Sequence, residues 1–160
     1  MLILRAVLAF LALPVFFCVL LPPILAHFDP NSGKGWPVCF VLVGCGLAVI
    51  LWCARDFYIA GKGTVAPWDP PKQLVVVGLY RYTRNPIYIG DLMLVGGWAL
   101  VTGSLWVGWY LVILAIGFHL RVIFYEERWA ARNFPSEWDA YSANVPRWMP
   151  RLTPWSASQV

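Results

Sequence analysis

The chain has 160 residues, 60% of them apolar and only 12% charged, against roughly 25% charged residues in an ordinary soluble domain. Eight acids and twelve bases cannot cover the surface of so hydrophobic a globule, which excludes a cytosolic domain, a disordered regulator and a helix-in-groove DNA binder. Ten Trp, seven Tyr and nine Phe suit a bilayer, where amphipathic rings gather at the headgroup level, and the length holds one membrane-embedded unit, residues 1–160.

Four apolar stretches approach the roughly 20 residues needed to cross a hydrocarbon core of about 30 Å. The expected fold class is therefore an all-α integral membrane protein of about four transmembrane helices. The first stretch runs from Ala6 to Ala26, with a kink expected at Pro14 and Pro22-Pro23 near its end. A signal peptide competes for it, but the run is long for an h-region and Ile24-Leu25-Ala26 is a poor small-residue cleavage site. The second stretch runs from Trp36 to Ala54, so residues 1–54 hold two spans. Cys18, Cys39, Cys45 and Cys53 all lie in these spans without CxxC spacing, which argues for packing residues rather than a metal site or disulfides.

The connection over residues 55–86 is polar. Gly61, Gly63, Pro67, Pro70 and Pro71 make its first half turn-rich, and a short apolar run, Leu74 to Val77, leads to Gly78. Tyr80-Arg81-Tyr82-Thr83-Arg84-Asn85-Pro86 follows at the entrance to the third stretch, Ile87 to Val101. Pro86 suits the first turn of that helix and Asn85 is a natural N-cap. A helix start presents free N–H groups and a positive dipole end, so it can hold a carboxylate or phosphate. A basic-aromatic belt anchoring the helix at the interface explains Arg81, Arg84 and some of the tyrosines equally well.

Thr102-Gly103-Ser104 separates the third stretch from the fourth, Leu105 to Tyr125, so the two form a tight hairpin. Gly96-Gly97, Gly108 and Gly117 offer this hairpin the small residues that let membrane helices approach closely. The tail then carries Glu126, Glu127 and Arg128. At about 100° per residue, His119 and Glu126 share a helix face while Glu127 points elsewhere. Charge neutralisation by pairing with Arg81, Arg84 or Arg121 is one account of the two glutamates. An ionisable residue at membrane depth is nonetheless a functional hypothesis. The hairpin brings the Arg84–Tyr88 end beside Glu126, and an anion-binding helix start next to a carboxylate suits a zwitterionic ligand. Eleven of the twelve bases lie on one side of the four stretches, with only Lys34 on the other. The positive-inside rule assigns that side, with both termini, to the cytoplasm; the net charge of +4 is a topology signal and gives no reason to invoke nucleic acid.

The run LVVVGLYRYTRNPIYIG and the tail EERWAARNFPSEWDAYSANVPRWMPR resemble the isoprenylcysteine carboxyl methyltransferase superfamily of integral membrane methyltransferases, relatives of the phospholipid N-methyltransferases. The resemblance covers about residues 55–152 and rests on an Arg-Asn-Pro-x-Tyr-x-Gly helix start paired with Glu-Glu about 40 residues on. It implies S-adenosylmethionine as the cofactor, held by residues 55–160 between the hairpin and the tail. Gln73, Leu74, Val75 and Tyr80 would line the adenosine side; Arg84, Asn85, Pro86, Ile87 and Tyr88 would meet the cofactor at the helix start; Glu126 would take its amino group. The sulfonium would lie against aromatic faces such as Tyr80 and Tyr88.

Three departures from the family pattern stand out. Asn85 replaces the His of the carboxyl methyltransferases, and Pro135 and Trp138 stand where Gly and Tyr are expected, so the tail's turn should differ. The prenylcysteine enzymes carry an Arg one turn before the Glu matching Glu126. Here that position is Val122, with Arg121 beside it, an offset of about 100° on a regular helix that argues against a prenylcysteine acceptor. The expected reaction is methyl transfer to a lipophilic small-molecule acceptor entering from the membrane lipids. A carboxylate or thiolate acceptor needs no base, whereas an amine or hydroxyl needs one. Arg121 and Glu127 are the candidate catalytic residues, with His119 a further candidate base. A membrane reductase built on the sterol-reductase core and a non-catalytic lipid-binding protein are the alternatives.

Overall fold

The structure, a computed structural model, describes residues 11–61 and 71–156. Arg5, the start of the first expected span, and the loop residues Lys62, Gly63, Pro67 and Pro70 lie outside them. All the regular secondary structure among the described residues is helical, with no strand. Helix α1 comprises Leu11–Leu20, wound with the wide π pitch in place of a sharp kink at Pro14, and Leu21–Phe28, which opens on Pro22-Pro23. Helix α2 is Pro37–Gly61, α3 is Pro86–Thr102 and α4 is Leu105–Asn133. A short helix α5, Pro135–Asn144, follows.

Helices α2 and α4 are long and apolar enough to cross a membrane, with mean hydropathies of 2.4 and 1.9, while Val15–Phe28 and α3 are apolar but shorter. The burial pattern inverts that of a soluble bundle. Val41, Leu51, Trp109, Ile113 and Ile116 are exposed on the outer faces, and the buried cluster between the spans is small: Cys18, Ala26, Ile50, Leu94, Val95 and Val107. A lipid environment removes the cost of such outward apolar faces. All four cysteines are free.

The closest helix-to-helix backbone approach at the glycines joins α2 to α3 rather than α3 to α4 as the glycines suggested. A Cβ on Gly46 would stand 2.7 Å from the Gly90 carbonyl oxygen, and one on Gly97 would stand 2.8 Å from the Val43 nitrogen. Neither contact can be relieved by moving a side chain. On the α3–α4 seam, Gly96 meets only the Leu111 side chain at an ordinary 3.6 Å, while Gly108 and Gly117 face open space. Small residues therefore fix the second and third stretches against each other, and the hairpin is held at its turn.

That turn is built closely. Gly103 takes φ +65° as the C-terminal cap of α3, a left-handed conformation that suits glycine. The Ser104 hydroxyl caps α4 by accepting from the Val107 N–H at 3.3 Å, and it donates to Asp29 Oδ2 at 2.7 Å. Asp29 also accepts from the N–H groups of Trp106 and Asn31. Gly33 and Trp36 donate to the carbonyls of Thr102 and Leu100, so the α1–α2 and α3–α4 turns meet at one end of the bundle. At the other end the tail runs back along residues 81–84. There the N–H groups of Arg84, Arg151 and Trp155 donate to the carbonyls of Pro146, Tyr82 and Arg81.

Candidate functional site

Between the closed turn and the tail strap, the two polar segments of the sequence form one cavity of about 440 Å³, a size in the range of small-molecule sites. Its walls come from the 71–88 segment, α1, α4 and α5, with Phe57 of α2 and Asp91 of α3. The first wall is set by Gly78, at φ +53°, which turns the chain so that the short helical turn Gly78–Arg81 buries Tyr80 beside Cys53 and Val75. The Tyr141 hydroxyl donates to the Tyr80 carbonyl at 2.7 Å, tying α5 to this turn. Burial holds the Tyr80 phenol well above its ordinary range, with Cys53 and Tyr141 adding to it.

Asn85 stands at the N-cap position of α3, but its side chain does not cap the helix. It donates instead to the Arg147 carbonyl at 3.0 Å, because the tail passes directly across it. The first N–H groups of a helix have no intrahelical partner, so the first turn of α3, at Ile87 and Tyr88, keeps its donors for another group.

The second wall depends on a change of helix type. Over Val122–Glu126, α4 widens to π winding before returning to α at Glu127. On a regular α-helix, residues five apart lie about 140° out of line, whereas a π turn joins i to i+5. Arg121 therefore reaches Glu126, Nε to Oε1 at 2.7 Å, and also donates to the Tyr88 hydroxyl at 3.0 Å. The Tyr88 hydroxyl donates in turn to Glu126 Oε1. The offset of about 100° expected between Arg121 and the position of Val122 is absorbed by this turn. The same change breaks the expected His119–Glu126 face. His119 is exposed, accepts from Trp148 Nε1 at 3.1 Å and lies off the cavity. Glu127, expected to point elsewhere, faces in beside Glu126.

Glu127 is held by two arginines. Arg147 grips it with two hydrogen bonds, Nε to Oε1 at 2.7 Å and Nη2 to Oε2 at 2.8 Å, and Arg84 Nη1 lies 3.1 Å from Oε1. The Arg84 guanidinium also lies 5.5 Å from the centre of the Trp138 ring. Burial pulls Arg84 below the usual guanidinium range, with Arg147 adding to the effect and Glu127 opposing it. Its hydrogen bonds to Glu127 push Arg147 up. Two guanidinium groups thus share one carboxylate, leaving a surplus positive charge. Arg84 Nε is buried with no hydrogen-bond partner among the described residues.

Leu74, Val75, Tyr80, Arg84, Asn85, Ile87, Tyr88, Arg121, Glu126 and Glu127 all line this cavity. Two expected contacts do not. Gln73 is exposed, and Pro86 lines a separate groove with Val49 and Ile89, because each helical residue is turned about 100° from the one before it. The sequence reading missed Trp138, Tyr141 and Asp91, which also line the cavity, together with Arg147. Asp91 had a legible signal as the single acid inside an apolar span. Trp138 stands where the family pattern expects Tyr, and the turn before it is made at Phe134 with Pro135 as the first residue of α5. Among the described residues no three His, Cys, Asp or Glu side chains group as metal ligands.

The sequence matches the family described as phospholipid methyltransferase over residues 37–137. It is 32% identical over 117 residues to the nickel-cobalt-cadmium resistance protein NccN of Alcaligenes xylosoxydans xylosoxydans, covering 70% of this chain and 49% of that one. It is 34% identical over 117 residues to the cobalt-zinc-cadmium resistance protein CzcN of Cupriavidus metallidurans, covering 70% and 48%. The chain spans about half the length of these curated relatives. No solved structure matches it significantly. The family match runs through α2, α3, α4 and the start of α5, and so through both walls of the cavity: the chain belongs to the phospholipid methyltransferase family, within the isoprenylcysteine carboxyl methyltransferase-like superfamily of membrane methyltransferases.

Proposed function

We propose that the chain transfers a methyl group from S-adenosylmethionine to a lipophilic acceptor that reaches the cavity from the bilayer. The observation that carries this reading is the charge pattern of the cavity. One side has a surplus cation, with Arg84 Nε buried and unpartnered and the uncapped start of α3 beside it. The other side has Glu126, joined to Tyr88 and Arg121. Between them stand aromatic faces, including Tyr88 stacked on Phe118 at 4.4 Å. This donor set fits a ligand carrying a carboxylate, an ammonium and a sulfonium. The carboxylate would take Arg84 and the α3 start, the ammonium Glu126, and the sulfonium an aromatic face through cation–π attraction.

Bound there, S-adenosylmethionine supplies a methyl group already activated on sulfur. The chain's own contribution is positioning and exclusion of water, and orientation alone is worth several kcal/mol. Tyr88 and Arg121 hold the Glu126 carboxylate in a fixed direction. Glu127, with its oxygens engaged by Arg84 and Arg147, orients those guanidinium groups rather than acting on the acceptor. In this reading α1 to α4 all cross the bilayer. The two turns that meet at Asp29 face away from the cytoplasm, and the base-rich end with the cavity and both termini faces it, as the positive-inside rule requires.

The test is ligand binding by the full chain in detergent. S-adenosylhomocysteine should raise the melting temperature and NADPH should not; the reverse result would favour a membrane reductase. Glu126→Ala should weaken S-adenosylhomocysteine about 30-fold, the worth of a charged hydrogen bond of about 2 kcal/mol, and Tyr88→Phe about 5-fold. Unchanged affinity in both variants overturns the site. Labelled-methyl transfer to the host's total lipid extract would then identify the acceptor.

A further inference from the structure

Arg84, Arg121, Glu126 and Glu127 stand at the end of the cavity nearest the tail. The other end lies within the apolar spans, where Phe17, Cys18 and Leu114 form the wall and Asp91 is the acid in the lining. Asp91 is only 6% exposed. It stands three residues after Tyr88 on α3, close to one turn deeper on the same side. Cys18, whose thiol is a weak donor, lines the cavity with it, and Asp91 Oδ1 is buried with no partner among the described residues. The other titratable groups that act on it are Cys53 from α2 and Tyr110 from α4, and neither brings a positive charge.

A buried carboxylate without a cationic or strong hydrogen-bonding partner is expensive. Glu127 is held by Arg84 and Arg147, and Glu126 has Arg121 on Oε1, so Asp91 is the carboxyl of the cavity lining with no arginine paired to it among the described residues. Packing does not require an acid at this depth, since a Leu or Ala would suit the neighbouring wall. In a membrane-embedded site, an ionisable residue that faces a cavity marks the path of substrate or proton. Phe17 lines the cavity and is also exposed on the outer face of α1, so this end borders the bilayer from which a lipophilic molecule would enter.

We propose that Asp91 is the acceptor-side catalytic carboxylate, and that the acceptor's nucleophile is therefore a protic amine or hydroxyl on an apolar chain, not a carboxylate. This rests on the methyltransferase reading of the same cavity. The lone pair of the acceptor N or O forms the new bond to the methyl carbon as the methyl–sulfur bond breaks, and sulfur keeps that electron pair in neutral S-adenosylhomocysteine. The N–H or O–H proton passes to Asp91 Oδ1 and then to water, leaving the carboxylate for the next turnover. An acceptor amine that enters as an ammonium gives its first proton to the same oxygen. A carboxylate acceptor would meet a like charge here and has no proton to give.

The experiment uses the full chain in detergent with dodecylamine, dodecanol and laurate as probes, read by thermal stabilisation. The amine and alcohol should stabilise the wild type and laurate should not. Stabilisation by laurate in preference to the amine and alcohol overturns the proposal without any variant. Asp91→Asn, which keeps the size of the side chain, should lose the dodecylamine response and keep its response to S-adenosylhomocysteine. Its labelled-methyl transfer to lipid extract should fall about 100-fold or more, the usual worth of a general base. An Asp91→Asn chain that keeps both the dodecylamine response and wild-type transfer sinks the assignment. Failure of the wild type to respond to S-adenosylhomocysteine would count against the methyltransferase reading alone, because the probe-chain comparison is read separately.

Discussion

The two ends of the bundle treat their buried charged groups differently. At the closed turn, Asp29 accepts from Ser104 Oγ and from the N–H groups of Trp106 and Asn31, so its acceptors are answered from both turns. At the cavity end, Arg84 Nε and Asp91 Oδ1 are buried and unanswered among the described residues, and two guanidinium groups share one carboxylate. A polar cluster completed by its own chain fixes geometry. A cluster with unanswered groups around a cavity is completed by something else. The difference separates Asp29, whose partners come from its own chain, from Asp91, which lines the cavity with Oδ1 unpartnered among the described residues.

The largest effect that would break this comparison is expected at Glu127. Replacing it with Ala leaves Arg84 and Arg147 facing each other half-buried with no counter-charge, and loss of one partner from a buried pair costs about 3 kcal/mol. Chemical or thermal unfolding in detergent should show that loss, together with weaker S-adenosylhomocysteine binding as Arg84 shifts. A Glu127→Ala chain as stable as the wild type would mean that the arginines are already satisfied by solvent, and that the surplus charge of the cavity is not real.

Much of the fold was legible because it follows from hydropathy and turn chemistry. The expected span Trp36–Ala54 matches α2 from Pro37 onward and Ile87–Val101 falls within α3, and Thr102-Gly103-Ser104 makes the turn that its residues dictate. The partner of each glycine was not legible, since Gly46 and Gly97 are distinguished from Gly108 and Gly117 only by the direction each helix faces. The convergence of Arg84, Tyr88 and Glu126 followed from hairpin geometry. The π turn at Val122–Glu126 did not. It adds no residue type of its own and leaves the apolar pattern intact, yet it decides that Arg121 meets Glu126 and that His119 does not. Arg147 was missed for another reason. Its place depends on backbone hydrogen bonds from residues 81–84 to the tail, and such pairing carries no local signature.

At the closed end, effects should be smaller and confined to stability. Ser104→Ala removes the N-cap of α4 and should cost about 1 kcal/mol, with S-adenosylhomocysteine affinity unchanged. A change in that affinity would show that the two ends are coupled, and the comparison would fail.

The smallest effect is a pH dependence at the same place. The hydrogen bond from Ser104, with those from the Asn31 and Trp106 N–H groups, holds the Asp29 carboxyl down at about 2 from an ordinary 3.8. A carboxyl with a lowered folded pKa binds its proton more readily in the unfolded chain, so it stabilises the fold wherever it is ionised. That stabilisation is full above about pH 4 and is lost as the pH falls toward 2. The melting temperature of the wild type should therefore drop over this window by more than that of Asp29→Asn, which has no proton to take up. Other carboxylates titrate in the same range and act on both chains alike, so the difference between the two curves isolates Asp29. Parallel curves would mean that Asp29 is as solvated in the folded protein as in the unfolded one. The closed end would then be as incomplete as the cavity end, and unanswered polar groups would cease to mark the site.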